Sequence, residues 1–316
     1  MKKILIASAA LVATTTVASA QEINFSGLAR FGIGYDEDRA DESIIISRFR
    51  LNIDASTELD SGLRLAARLR GEANENSDGT SGTFEFGAPR FQADLGGFRL
   101  RVGNISGVID AAEVIDTFGN DLGLEGTLGQ IDTFNAPIAA FDSDGSGSSQ
   151  GVSLLYTVGD LSLAASYVED LGANGVSNDL ESFEVGVGYG FGNYSVGAAF
   201  GSTDTGPTTD VDFWLLSLTG DIGAFGFSVV VGDNELNGAL GGDDTSYGLT
   251  LDYDISDATN IAFTYAGGGT ADIAGNDDSY GIGVDHDLGA GATLRGFIGQ
   301  DVSGSTRADL GVRFDF

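Results

Sequence analysis

The residues with most to offer chemically are arginines. Of fifteen basic residues in the 316-residue chain only Lys2 and Lys3 are lysines, and the arginines are unevenly spread. Arg30, Arg48, Arg50, Arg64, Arg68, Arg70, Arg90, Arg99 and Arg101 lie in the first third, and Arg295, Arg307 and Arg313 near the end. None falls between residues 102 and 294. A guanidinium stays charged at any ordinary pH and presents a planar fork of donors, so it attracts anions and does not shuttle protons. Groups that do move protons or attack carbonyls are scarce, with no Cys and a single His. That residue, His286, continues the apolar register of Tyr280, Ile282 and Val284, which fits a packing position better than a general base. The chemistry on offer is therefore electrostatic. A net charge of -32 excludes wrapping of nucleic acid, whose phosphates need a basic surface. The 20 Phe and 9 Tyr argue against a disordered acidic chain.

One segment supplies the opposing charge. Residues 104–150 carry Asp110, Glu113, Asp116, Asp121, Glu125, Asp132, Asp142 and Asp144 and no basic residue. They are far too many for a hairpin connection. Ile105, Val108, Ile109, Val114, Ile115 and Phe118 give the segment apolar anchors, so it is expected to fold inward rather than hang as a tether. The expected site sets Arg30, Arg48, Arg50, Arg68, Arg70 and Arg101 on one wall. Asp110, Glu113, Asp116, Asp121 and Glu125 face them across water. Opposing carboxylates relieve the repulsion within the arginine group and create a transverse field.

The elements that must hold these charges are strands. Phe49, Leu51, Ile53 and Ala55 alternate with Arg48, Arg50, Asn52 and Asp54, and Leu63, Leu65, Ala67 and Leu69 with Arg64, Ala66, Arg68 and Arg70. Period two sends one set to each face of a sheet. About sixteen such spans run from residue 23 to the end, an even number as outer-membrane barrels require. The fourth, 83–95, is interrupted by Pro89, and the tenth, 210–220, is apolar on both faces at Phe213-Trp214-Leu215-Leu216. Tight turns at Gly96-Gly97, Gly159-Asp160, Gly192 and Asp221-Ile222 alternate with longer acidic or Gly-rich connections. That one-sided loop length distinguishes a transmembrane barrel from a soluble sandwich. Tyr35, Phe98, Tyr156, Tyr167, Tyr189, Phe191, Tyr194, Tyr247, Tyr253, Tyr265 and Tyr280 stand at strand ends, as aromatic girdles at two lipid–water boundaries would. If the last strand pairs with the first, the two arginine groups merge into one arc, which must face the lumen because a guanidinium facing lipid is costly.

The first twenty residues complete the picture. Lys2 and Lys3, the apolar run Ile4 to Ala13, and Ala18-Ser19-Ala20 form a cleavable Sec-type signal peptide, 1–20, ahead of a single barrel domain, 21–316. Three other architectures or functions fit the residues less well. A barrel hydrolase lacks a plausible base, a calcium-binding β-solenoid lacks a nine-residue repeat, and a substrate-specific channel usually carries aromatic tracks or a single-sign charge cluster.

The chain resembles a known family. Glu22-Ile23-Asn24-Phe25-Ser26-Gly27, Gly192-Asn193-Tyr194-Ser195-Val196-Gly197, the acidic third loop and the ending Ala308-Asp309-Leu310-Gly311-Val312-Arg313-Phe314-Asp315-Phe316 look like the general porins of alphaproteobacteria, the Rhodobacter type. The resemblance spans the whole mature chain. It implies an all-β, antiparallel up-and-down barrel of sixteen strands with the third loop folded into the lumen. It further implies general diffusion of ions and small hydrophilic solutes across the outer membrane of a Gram-negative bacterium, without catalysis. A homotrimer, contact with outer-membrane lipid and lipopolysaccharide, no required cofactor, and Ca²⁺ at the acidic loops are expected on the same ground. The absence of Lys from the mature chain departs from the mixed Arg/Lys wall of that family.

Overall fold

The computed structural model describes residues 21–76, 78–117, 122–143, 149–170, 180–205 and 210–316. The signal peptide expected over 1–20 and the acids Asp121 and Asp144 lie outside them.

Alternating sequence becomes an antiparallel sheet that closes on itself. Its segments are β1 (Glu22–Asp36), β2 (Ser43–Glu58), β3 (Arg64–Asn74), β4 (Glu85–Phe86), β5 (Arg90–Leu95), β6 (Phe98–Gly103), β7 (Ser149–Val158), β8 (Leu161–Asp170) and β9 (Leu180–Phe191). They continue with β10 (Tyr194–Thr205), β11 (Asp210–Ile222), β12 (Phe225–Asn234), β13 (Thr245–Ser256), β14 (Thr259–Gly268), β15 (Ser279–Gly289), β16 (Ala292–Gln300) and β17 (Thr306–Asp315). Both β4 and β5 pair with β3, so these two are pieces of one wall strand and the barrel has sixteen. The break falls at Pro89, which has no N–H to give the ladder. Gly87 still donates to the Arg70 carbonyl at 2.9 Å, and the Pro89 carbonyl turns to accept from Asn104.

Closure joins the chain ends. The first and last strands pair from Leu28↔Asp315 to Asp36↔Arg307, and Phe316 exchanges both backbone hydrogen bonds with Gly27 at 2.7 and 3.0 Å. Arg30 sits opposite Arg313 and also opposite Arg48. The two sequence groups of arginine are thus one arc.

Side-chain parity settles inside and outside. On β1, Ile23, Phe25, Phe31 and Ile33 are all more than half exposed, while Arg30 and Asp36, on the opposite parity, are buried. Outward apolar rows recur on every long strand, the belt that lipid tails require. Among the described residues no helix is long and apolar enough to cross a membrane; the outward apolar rows belong to the strands. The double-faced tenth span resolves in register: Trp214 is 37% and Leu216 47% exposed outward, whereas Phe213 and Leu215 are 1% exposed inside. The turn expected at Asp221-Ile222 instead follows them, at Gly223-Ala224, where the positive φ of Gly223 suits glycine.

The aromatic residues gather at the two rims. Phe98 stacks on Tyr156 with centroids 4.2 Å apart, and Phe225 meets Tyr253 at 4.6 Å on the short-turn rim. Tyr247 and Tyr265 meet at 6.2 Å on the long-loop rim. Short helices α1 (Val108–Ala111) and α2 (Glu235–Ala239) belong to the loops. Asn234 caps α2 by accepting from the Leu236 amide at 2.9 Å.

Candidate constriction of the lumen

The lumen face of β2 and β3 is a cross-strand ladder of charges. Register places Asp54 opposite Arg68, Asn52 opposite Arg70, Arg50 opposite Glu72 and Arg48 opposite Asn74. Each of these pairs is bonded. Arg68 makes a bidentate contact with Asp54 at 2.7 and 3.0 Å, the fork-to-carboxylate geometry that guanidinium favours. Arg70 Nε donates to Asn52 at 2.8 Å. Glu72 receives both Arg48 and Arg50. The pattern repeats across β5 and β6, where Arg99 meets Asp94 at 2.9 Å and Arg101 donates to Gln92 at 3.0 Å. Among the described residues, Arg64, Arg70 and Arg90 form no ion pair with a carboxylate.

The loop between β6 and β7 runs into the barrel as a two-limbed tongue. Its outgoing limb passes β9 and β10, its tip reaches β17 and β1, and its return limb comes back by β13, β12 and β10. Leu122 and Leu128 bridge to close the tip. The bed for this tongue is made of lumen-facing glycines paired in register. Gly188 faces Gly197, and a methyl group on either would come within 2.5 or 2.6 Å of the Val114 carbonyl oxygen. Gly281 faces Gly299 beneath Leu128, and Gly32 faces Gly311 beneath Leu124. A side chain on Gly248 would collide with the Gln130 carbonyl. Phe213, Leu215, Val230 and Ala199 then pack against Val114, Ile115 and Phe134 of the loop. Burying such side chains stabilises by about 1.5–3 kcal/mol each, which explains an apolar lumen face in an otherwise wet interior.

Two wall carboxylates pin the tongue through its backbone. Glu184, fully buried, accepts from Ile109 N at 2.8 Å on the outgoing limb and Ala139 N at 3.2 Å on the return limb. Asp309 accepts from Leu124 N at 2.8 Å and Glu125 N at 3.2 Å at the tip. Asn104 ties the neck by bonding both the N–H and the carbonyl of Asp142.

The expected acids are distributed differently from a row facing arginines across water. Glu113 touches the wall directly, at 2.9 Å from Arg99 and 2.8 Å from Arg101. Glu125 lies 3.3 Å from Arg30, whose side chain is 5% exposed and also donates to the Leu124 carbonyl. Asp110 turns into the loop and accepts from Phe141 N. Asp116 is held against β11, its amide donating to Ser217. Asp132 is half-buried on the far side, accepting from Ser279 at 2.8 Å and from Gly129 N at 3.0 Å. Burial pushes its carboxyl up to about 6, the two hydrogen bonds opposing. Burial, then a hydrogen bond with the Glu75 carboxyl, pushes Glu125 up as well, against the pull of Arg30.

Of the predicted arginines, Arg50, Arg68, Arg70 and Arg101 share one lumen wall with Arg48, and Arg30 belongs to the loop tip. Residues that sequence reasoning left out are the wall acids Glu72, Asp94, Glu184 and Asp309, and Phe141, whose ring lies 4.5 Å from the Arg70 guanidinium and 5.5 Å from that of Arg90. Glu72, Asp94 and Asp309 were visible in principle as acids on the arginine-bearing parity of their strands, and Glu184 as an acid on the polar parity of a strand without arginine. Nothing local marked Phe141. Among the described residues no group of three or more Asp, Glu, His or Cys is gathered that could hold a metal ion.

A closed barrel with an apolar outer belt, a charged interior and a loop narrowing its lumen is a transmembrane channel of the outer membrane. The model of the Gram-negative porin family matches residues 7–306. The chain is 31% identical to the porin of Fuscovulum blasticum over 316 aligned residues, taking in 93% of this chain and 100% of that one. It is 29% identical to the porin of Rhodobacter capsulatus, with the same coverage. A substituted form of the Rhodopseudomonas blastica porin superposes with a TM-score of 0.80 at 26% identity, over 93% of this chain and 100% of the other. The chain belongs to the Gram-negative porin family, whose members are channels, and functions as a general diffusion porin.

Proposed function

We propose that passage is filtered in the cleft between the arginine wall, Arg48, Arg50, Arg68, Arg70 and Arg101, and the inner loop carrying Asp110, Glu113, Asp116, Asp121 and Glu125, with Arg30 fastening the loop tip. The observation that carries this reading is Glu113, a loop carboxylate bonded to two wall guanidiniums. It holds the loop against the wall at that point and so supports a narrowed, charge-lined path beside the contact. Ions and small hydrophilic solutes cross there by diffusion, and no cofactor or catalytic group takes part. His286 lies on the outer face, 2.9 Å from Thr259, which supports a non-enzymatic role. The large negative charge of the chain leans selectivity weakly toward cations. A homotrimer seated in lipid and lipopolysaccharide is the assembly this reading takes. Single-channel recording tests it: wild-type protein conducts in steps of three, and Glu113→Gln changes the conductance and makes it noisier. Protein that forms barrels yet passes no current overturns the reading.

A further inference from the structure

The arginine wall is not evenly neutralised. A cavity of about 420 Å³ opens on it near the short-turn rim, bordered by Arg64, Arg68, Arg90, Arg99 and Arg101. Three of these are committed to carboxylates: Arg68 to Asp54, Arg99 to Asp94 and Glu113, Arg101 to Glu113. Those contacts fix their orientation. The remaining two are different. Arg64 donates one long 3.4 Å hydrogen bond to Ser56 and lies opposite Asp94, whose ion pair is with Arg99, and Arg90 forms no ion pair with any described carboxylate. Arg90 has instead the Phe141 ring 5.5 Å from its guanidinium carbon. An aromatic neighbour engages the cation without using up its N–H groups, which remain available to an acceptor. Glu22 also borders the cavity, but it forms no ion pair with either free arginine.

Five guanidiniums around one water-accessible space repel each other, and fixed acids offset only part of that repulsion. A mobile anion offsets the rest. Guanidinium forks match the paired oxygens of phosphates and carboxylates better than they match a spherical halide. We propose that this cavity is a binding site for small oxyanions carrying two or more charges, a diphosphate being the model ligand, with Arg64 and Arg90 as the direct donors. The inference rests on the lumen being the conducting path. It deepens that reading by giving the channel a class of solute that it retains. The far field of an acidic protein favours cations, and this site acts against it over a few ångströms. Its position near the short turns makes it reachable from the periplasmic side.

Planar-bilayer recording of the assembled protein in about 0.1 M KCl, where screening reaches only ~10 Å, tests the site with inorganic pyrophosphate as the probe. Pyrophosphate on the periplasmic side is expected to interrupt the current reversibly, and the block to weaken as salt rises. Arg64→Ala with Arg90→Ala should raise the half-blocking concentration about tenfold or more. Arg90→Gln, which keeps the side chain's bulk, should give a smaller rise in the same direction. Two results overturn the site: wild-type channels that carry KCl current but ignore pyrophosphate, or a double variant blocked as readily as wild type. A protein that carries no KCl current at all brings down the channel reading instead, so the two failures are distinct.

Discussion

The two halves of the lumen wall solve opposite problems. From β2 to β6 the inward positions are long and charged, most guanidiniums are steadied by a cross-strand partner such as Asp54 for Arg68, and they face water. From β9 round to β17 the inward positions are mostly glycines and small polar residues, with apolar Phe213 and Leu215 and the acids Glu184 and Asp309 among them, and many of them meet the inner loop. Gly188 and Gly197, Gly281 and Gly299, and Gly32 and Gly311 each form a register pair that admits one loop residue to backbone contact. The lesson is that the arginine-free middle of the chain is not simply a wall without charge. It is the seat of the loop, and the loop's thickness decides how far open water extends from the arginines.

The largest test of that comparison is to spoil the seat. Gly248→Leu puts a side chain where the Gln130 carbonyl lies. Overpacking of this kind costs about 1–3 kcal/mol, and here it is expected to fall on the loop rather than the barrel. Single-channel conductance should rise clearly while the heat resistance of the barrel changes little. A Gly248→Leu protein with wild-type conductance would show that the glycines do not seat the loop. The arginine side should respond in kind rather than in size. Arg68→Ala leaves Asp54 without its bidentate partner, so reversal potentials should shift toward cations with conductance changed by less than in Gly248→Leu. An anion-directed shift contradicts the assignment of Arg68 to the open wall.

Acidity gives the smallest effect. The Asp132 carboxyl, raised to about 6, binds its proton more tightly in the folded protein than its ordinary value of 3.8 allows. A raised carboxyl adds stability that is fully present below about 4 and is lost as pH climbs through 6. Glu125, also raised, acts in the same direction. The seated loop is therefore tighter at pH 5 than at pH 8, with open-channel noise growing across that interval. In Asp132→Asn the change with pH should shrink, and noise that falls with rising pH would contradict the sign.

Much of this architecture was legible because lipid imposes a hard rule. A guanidinium cannot face hydrocarbon, so period two and the positions of Arg48, Arg50, Arg68 and Arg70 were enough to assign their face, and the clustering near both chain ends followed from closure. The path of the loop was not legible. Val114 finds Gly188 and Gly197 across more than seventy residues of sequence, and an inward glycine looks the same in sequence whether it meets water or backbone. The double apolar faces at Phe213 and Leu215 were the local trace of the seat, visible only as an ambiguity. Acids were misassigned for a related reason. Asp110, Glu113 and Asp132 are alike in sequence, but one bonds its own loop, one bridges to the arginines and one accepts from Ser279 on the far wall.

The seam between β1 and β17 has a consequence in time. Until those two strands pair, the cylinder has an open side whatever else has folded. Leu124 rests on Gly32 and Gly311, one from each of them. The loop tip therefore has no complete resting place before the seam has formed. A barrel open at that seam lacks a closed wall and a seated gate together, and a single pairing supplies both.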